Sequence, residues 1–248
     1  MAVKINLKDL LEAGCHFGHQ ASRWNPKMKP YIFTAREGIH VFDLAKTKEG
    51  LEEAMEYVKG LVKEGKKIIF IGSKRQAKEV IKEVAQAVGM PYVNERWLGG
   101  TITNWEEMKK RIKRLQDLKE KREKGEFRKF TKKERILIDR EIARLEKLFG
   151  GIADLEALPE AIFVIDTKKE MAAVREAKMR GVKIVALVDT NSDPDLIDYI
   201  IPANDDAAKS IELIVRKMGE AIGKKKSGPK KKEKETEKDN DQDEKNQD

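Results

Sequence analysis

Apolar positions along this chain fall into two rhythms. Continuous apolar runs stand at Ile68-Ile69-Phe70-Ile71, Ala161-Ile162-Phe163-Val164-Ile165 and Ile184-Val185-Ala186-Leu187-Val188, with shorter ones at Met90-Pro91-Tyr92-Val93 and Tyr199-Ile200-Ile201-Pro202. Between them apolar residues recur at steps of three and four. Leu51, Ala54, Met55, Val58, Leu61 and Val62 predict a helix over about 47–63, and similar patterns cover 73–88, 168–180 and 206–222. Strands that are apolar on both faces and alternate with helices predict a sheet covered on both sides. The expected fold class is therefore α/β, doubly wound in the flavodoxin or Rossmann manner, with a mainly parallel sheet. Ahead of it Asn6 caps a short helix that stops at Gly14. Two prolines and interleaved cations make 23–30 an extended loop, and Tyr31-Ile32-Phe33 with Ile39-His40-Val41-Phe42 predicts a hairpin around Arg36-Glu37-Gly38.

The α/β rhythm breaks at Arg96-Trp97-Leu98-Gly99-Gly100-Thr101-Ile102-Thr103-Asn104-Trp105 and resumes after Gly150-Gly151. Within the break, Trp105, Met108, Ile112 and Leu115 form one helical seam, and Ile138, Ile142, Leu145 and Phe149 another. Gly125 and Thr131 bracket a polar turn between the two. One narrow seam per helix suits an antiparallel two-helix coiled-coil hairpin inserted into the body. The glycine pairs at its two ends read as backbone freedom at a junction. The expected domains are 1–104 with 150–223 as the α/β body, its first 36 residues an RNA-contacting segment, 105–149 as the inserted hairpin, and 224–248 as a disordered charged tail.

Charge sharpens this division. The 248 residues carry 52 Lys+Arg against 44 Asp+Glu, net +8. Residues 105–149 hold 17 basic and 10 acidic side chains, and residues 1–36 hold 6 and 2. The tail is nearly balanced, so the rest of the body is slightly acidic. Positive limbs on such a body point to a polyanion. Arg96, Trp97, Asn104 and Trp105 add guanidinium, amide and indole groups at the mouth of the insertion, which suit phosphates and bases. The single cysteine, Cys15, rules out an intrachain disulfide and fits a reduced compartment. No stretch reaches the roughly 20 apolar residues of a membrane span, and the start lacks a signal-peptide core, so cytoplasm is the expected location.

Catalytic patterns are scarce. The turn after the strongest strand, Gly72-Ser73-Lys74-Arg75-Gln76, has neither the three glycines of a dinucleotide fingerprint nor a P-loop. Cations at a helix start oppose the dipole unless an anion lies there, so Lys74 and Arg75 read as phosphate contacts or as a solvated helix end. Cys15 beside His16 is a poor nucleophile–base pair, because sequence neighbours rarely face each other. His19, Asp189 and Asp205 would meet where strand ends converge. They would hold a structural zinc or magnesium there, or else Asp189 caps a turn, Asp205 or Asp206 caps a helix, and His19 bonds to one of them. No cofactor is otherwise expected, and a nucleotide- or phosphosugar-using enzyme on this fold is the rival reading.

Several strings together carry a resemblance. Gly14-Cys15-His16-Phe17-Gly18-His19, Trp24-Asn25-Pro26-Lys27-Met28-Lys29-Pro30, the 96–104 stretch, Phe163-Val164-Ile165-Asp166 and Val188-Asp189-Thr190-Asn191-Ser192-Asp193 occur in the order and spacing of the bacterial ribosomal protein S2 family. The chain resembles that family from about residue 5 to 222 and departs from it in the lysine-rich tail. The resemblance implies a non-enzymatic constituent of the small ribosomal subunit, bound to its RNA between head and body. It also implies neighbouring subunit proteins, including the large one built of repeated OB-folds, and no small-molecule substrate. The expected RNA-binding residues are Arg23, Trp24, Lys27, Lys29, Lys74, Arg75, Arg96, Trp97, Asn104, Lys109, Lys110, Arg111, Lys113 and Arg114, with Trp24 and Trp97 packing or stacking.

Overall fold

The strongest apolar runs form the centre of the molecule. A computed structural model describes residues 5–223, and the tail expected at 224–248 lies outside the described residues. Strands β4 (Ile68–Ile71), β5 (Tyr92–Val93), β6 (Ala161–Ile165), β7 (Lys183–Val188) and β8 (Tyr199–Pro202) make one parallel sheet in the order β5-β4-β6-β7-β8. Counted from its first strand, that is the 2-1-3-4-5 order of a doubly wound sheet, in which ligands bind beside the β4/β6 switch.

Alternate residues of each strand feed two cores, as the strand period demands. Ile68, Phe70, Phe163, Ile165, Val185 and Leu187 pack with helices α1 (Leu7–Glu12), α2 (Leu44–Lys63), α3 (Lys78–Val88) and α7 (Ala208–Ile222). Ile69, Ile71, Ile162, Val164, Ile184 and Ala186 pack with α6 (Met171–Met179) and with the apolar residues of α4 (Trp105–Glu123) and α5 (Lys132–Phe149). The architecture is mixed α/β with helices on both faces of a parallel sheet.

The interrupting segment is two helices. α4 buries Trp105, Met108, Ile112, Leu115 and Leu118, and α5 buries Ile142, Leu145 and Phe149. Thr131 and Glu134 form a capping box that starts α5. Arg114, Lys119 and Arg122 of α4 pair with Glu141, Glu146 and Asp139 of α5.

Three local expectations need correction. Residues 23–30 are not extended: 3-10 turns occupy Ala21–Arg23 and Pro26–Tyr31, the second begun by Asn25, whose side chain accepts from the Lys27 N–H. The hairpin of β2 (Ile32–Arg36) and β3 (Ile39–Phe42) gains a third antiparallel strand, β1 (Phe17–Gln20), beside β3. The glycine pair at 150–151 serves close approach, not freedom. A Cβ on Gly151 would lie 2.1 Å from the Tyr92 carbonyl oxygen, and Gly151 has no positive φ.

The small antiparallel sheet is strapped across the carboxyl ends of β7 and β8. The His19 N–H donates to Thr190 Oγ1 (2.8 Å), the Asn25 N–H to the Thr190 carbonyl (2.7 Å), and Asn204 Nδ2 to the Gly14 carbonyl (3.2 Å). Gly18 leaves room for this: a Cβ there would sit 2.6 Å from the Thr190 methyl.

Candidate functional site

The stretch at 96–104 folds around one carboxylate from another element. Glu176 lies on the inner face of α6, three residues after Ala173 and beside Ala177, and is buried with them. Its Oε1 accepts from Trp97 Nε1 (3.1 Å) and the Gly100 N–H (2.8 Å). Its Oε2 accepts from the Ile102 N–H (3.0 Å) and from the Thr103 N–H and hydroxyl (3.1 Å each). Burial alone would raise the Glu176 carboxyl, but these donors outweigh it and hold the group below its ordinary value. Trp97, 6% exposed, therefore packs and offers no ring face to a base, while Arg96 and Asn104 flank the loop at the surface. Trp105 is buried too, with Lys109 Nζ 5.8 Å above its ring. The sequence signal for Glu176 is an acid on the apolar stripe of a helix, a position where burial demands partners.

A second cluster fills the crevice at the carboxyl ends of the parallel strands. Lys74, expected on a phosphate, points inward with its side chain 14% exposed. Its ammonium lies 2.6 Å from Asp205 Oδ1, 2.6 Å from Asp206 Oδ1 and 3.4 Å from Asp166 Oδ2. Burial alone would lower the Lys74 pKa, and its bonds to Asp205 and Asp206 more than reverse that. Beside it, the Ser73 N–H and hydroxyl both donate to Glu170 Oε1. The crevice thus holds its own cation and its own anion at the end of the sheet where this fold receives ligands. Cys15 is buried, and burial raises its thiol pKa, which disfavours the nucleophilic thiolate.

His19 closes this cluster, with a different donor set from the one expected. Asp189 is behind the imidazole: its Oδ1 takes His19 Nδ1 (2.9 Å) and its Oδ2 the Asp205 N–H (3.1 Å). The group able to share an ion is His19, Asp205 and Asp206, whose donor atoms lie within 4.8 Å of one another. The hydrogen bond to Asp189 is the main cause that raises the His19 pKa, and burial opposes it.

Burial, then repulsion from Asp189 and Asp166, pushes Asp205 up to about 7 against the pull of Lys74. Its folded value exceeds its unfolded one, so its stabilisation is whole below about pH 4 and is lost as pH rises through 7. His19 acts in the same direction above pH 6.5. Urea midpoints in EDTA-treated buffer should therefore fall between pH 5 and pH 8, and Asp205→Asn should remove on the order of 2–4 kcal/mol of that fall. An unchanged slope in the variant rejects this account.

The other expected cations divide in two. Lys27 reaches Asp193 (3.0 Å) and Asp195, while Lys109, Lys110 and Arg114 pair with Glu106, Glu107 and Glu141. These exposed pairs are worth under about 1 kcal/mol each and yield readily to a phosphate. Arg23, Lys29, Arg75, Arg96, Arg111 and Lys113 are exposed, with no ion-pair partner among the described residues. Trp24 is half-buried, one side of its ring against His40 at 4.8 Å between centroids.

A sheet crevice closed by internal charge, with cations outside it that lack ion-pair partners among the described residues, has the form of a binding scaffold. Comparison with known proteins agrees. The family described as "Ribosomal protein S2" matches residues 10–225. The chain is 52% identical over 222 residues to the small ribosomal subunit protein uS2 of Coprothermobacter proteolyticus, covering 90% of this chain and 82% of that one. It is 53% identical over 217 residues to the protein of the same name from a Roseiflexus species, covering 88% and 83%. The chain belongs to the ribosomal protein S2 family. That family is structural, which bears out the expectation that the chain is no enzyme.

Proposed function

We propose that this protein is a structural constituent of the small ribosomal subunit, acting in the cytoplasm by binding ribosomal RNA between head and body and supporting translation initiation. Family membership across nearly the whole described chain supports the assembly. The exposed cations without carboxylate partners support the RNA contact. In this reading residues 1–104 and 150–223 are the body, 1–36 its RNA-contacting segment, and 105–149 a coiled-coil hairpin that projects from it. Arg23, Lys29, Arg75, Arg96, Arg111 and Lys113 neutralise phosphates directly, Lys27, Lys109, Lys110 and Arg114 after exchanging partners, and Asn104 and Trp24 contact RNA at the loop and the N-terminal segment. Lys74 and Trp97 serve by holding that surface in shape. Neighbouring subunit proteins, including the large OB-fold-repeat protein, complete the surroundings.

The tagged full chain should sediment with small ribosomal particles. Neutralising Arg23, Lys29 and Arg96 together should weaken binding to small-subunit RNA and lower the slope of log affinity against log salt by about two to three. Failure of the unmodified chain to bind either particles or RNA overturns the proposal.

A structural metal is a second reading, favoured by the convergence of His19, Asp205 and Asp206 with Asp189 orienting the imidazole from behind. Lys74 competes for the same carboxylates. About one equivalent of zinc in the purified protein supports the reading, and a background level removes it.

A further inference from the structure

Three acids of α5 turn toward α4, and three of its cations turn away from it. Glu134 is consumed in the capping box, and Asp139, Glu141 and Glu146 all turn toward α4, where Arg122, Arg114 and Lys119 hold them. Lys133, Arg140 and Arg144 step by seven and four, so they share one face, which lies opposite the buried seam of Ile142, Leu145 and Phe149. All three are exposed, and none has an ion-pair partner among the described residues. Between them stand Ile136 and Leu137, 42% and 53% exposed. The nearest acid, Glu141 at the edge of the face, is turned to Arg114 of α4. The face is a straight row of fixed positive charge about 16 Å long, at 1.5 Å per residue, interleaved with apolar side chains.

We propose that this back face of α5, more than the opening turns of α4, is where the hairpin grips RNA, and that its ligand is double-helical RNA. The inference rests on the ribosomal reading above and names the surface within it. At the start of α4, Lys109, Lys110 and Arg114 share their charge with Glu106, Glu107 and Glu141, and the unpaired Arg111 and Lys113 point to different sides, whereas the three cations of the α5 row are unpaired among the described residues and aligned. A cationic face of this kind repels a basic protein partner and attracts a polyanion. A rigid helix cannot follow a flexible single strand, but it lies across the wide, shallow minor groove of A-form RNA. There Lys133, Arg140 and Arg144 meet phosphates, and Ile136 and Leu137 meet the apolar edges of riboses.

The test compares the full chain with Lys133→Gln/Arg140→Gln/Arg144→Gln and with Lys109→Gln/Lys110→Gln/Arg114→Gln. Each is titrated with small-subunit ribosomal RNA, a 20-base-pair RNA duplex and a single strand of equal length across a salt series. The α5 variant should bind the duplex about tenfold or more weakly, with the salt slope reduced by about two to three. The α4 variant should lose less, and unmodified protein should prefer duplex to single strand. Equal loss in the two variants, wild-type affinity in the α5 variant, or preference for the single strand overturns the assignment. So does an α5 variant that binds RNA normally yet fails to join particles, which would make the face a protein contact. If the unmodified chain binds none of the RNAs, it is the ribosomal reading that fails. Matching thermal melts establish that the substituted surface residues leave the fold intact.

Discussion

Glu176→Gln should destabilise the protein by about 3 kcal/mol or more, although it changes one atom and keeps the volume. Every partner of the Glu176 carboxylate is a donor: one indole N–H, three backbone N–H groups and a hydroxyl. A glutamine amide retains one accepting oxygen and turns an NH2 group toward donors that need an acceptor. Each buried donor left unmet costs about 1–3 kcal/mol. Glu176→Ala should be worse still, since the Trp97 indole and the Ile102 N–H are both deep. Glu212→Gln, which loosens an exposed pair with Arg216, is the control and should change stability by less than about 1 kcal/mol. Because the Glu176 pKa is held low, its contribution is present above about pH 4.5 and is lost as pH falls through its folded value. The penalty in Glu176→Gln should therefore shrink toward acid. Equal urea midpoints for wild type and Glu176→Gln at pH 7 would show that the loop does not depend on this group.

Lys74→Met should cost a similar amount, about 3–5 kcal/mol near pH 8, because it strips the cation from buried Asp205 and half-buried Asp166, with exposed Asp206 beside them. The loss should ease at pH 5, where Asp205 takes up a proton and no longer needs a partner. Arg75→Met, one residue along and exposed, should be near neutral in stability. The same penalty at both pH values would mean that Lys74 acts through packing of its aliphatic stem and not through its charge.

These two residues mark the limit of what the sequence discloses. The parallel strands were legible because continuous Val/Ile runs have few other uses, and the α4 and α5 seams because three- and four-step spacing repeats over several turns. Strand β1 escaped because Gly18 and His19 break its apolar pattern, and it is defined only by pairing with β3, some twenty residues on. Lys74 reads as a surface cation from its neighbours alone. Its actual partner Asp205 is 131 residues away and meets it only because both follow strands that end on the same side of the sheet. Trp97 carried two readings, packing or stacking, and only the burial of its ring decided between them. Glu176 was missed: an acid on an apolar helical face is its signal, but the loop that claims it lies more than seventy residues earlier.

The straps between residues 14–25 and 190–204 bear on the order in which the molecule is made. A chain emerging from its amino end presents β1, β2 and β3 long before Thr190 and Asn204 exist to receive them. Loop closure over such separations is slow, so the first-made segment waits unanchored until synthesis is nearly finished. Nascent chains halted before residue 190 should therefore leave the opening forty residues open to protease, and extension past 204 should shield them.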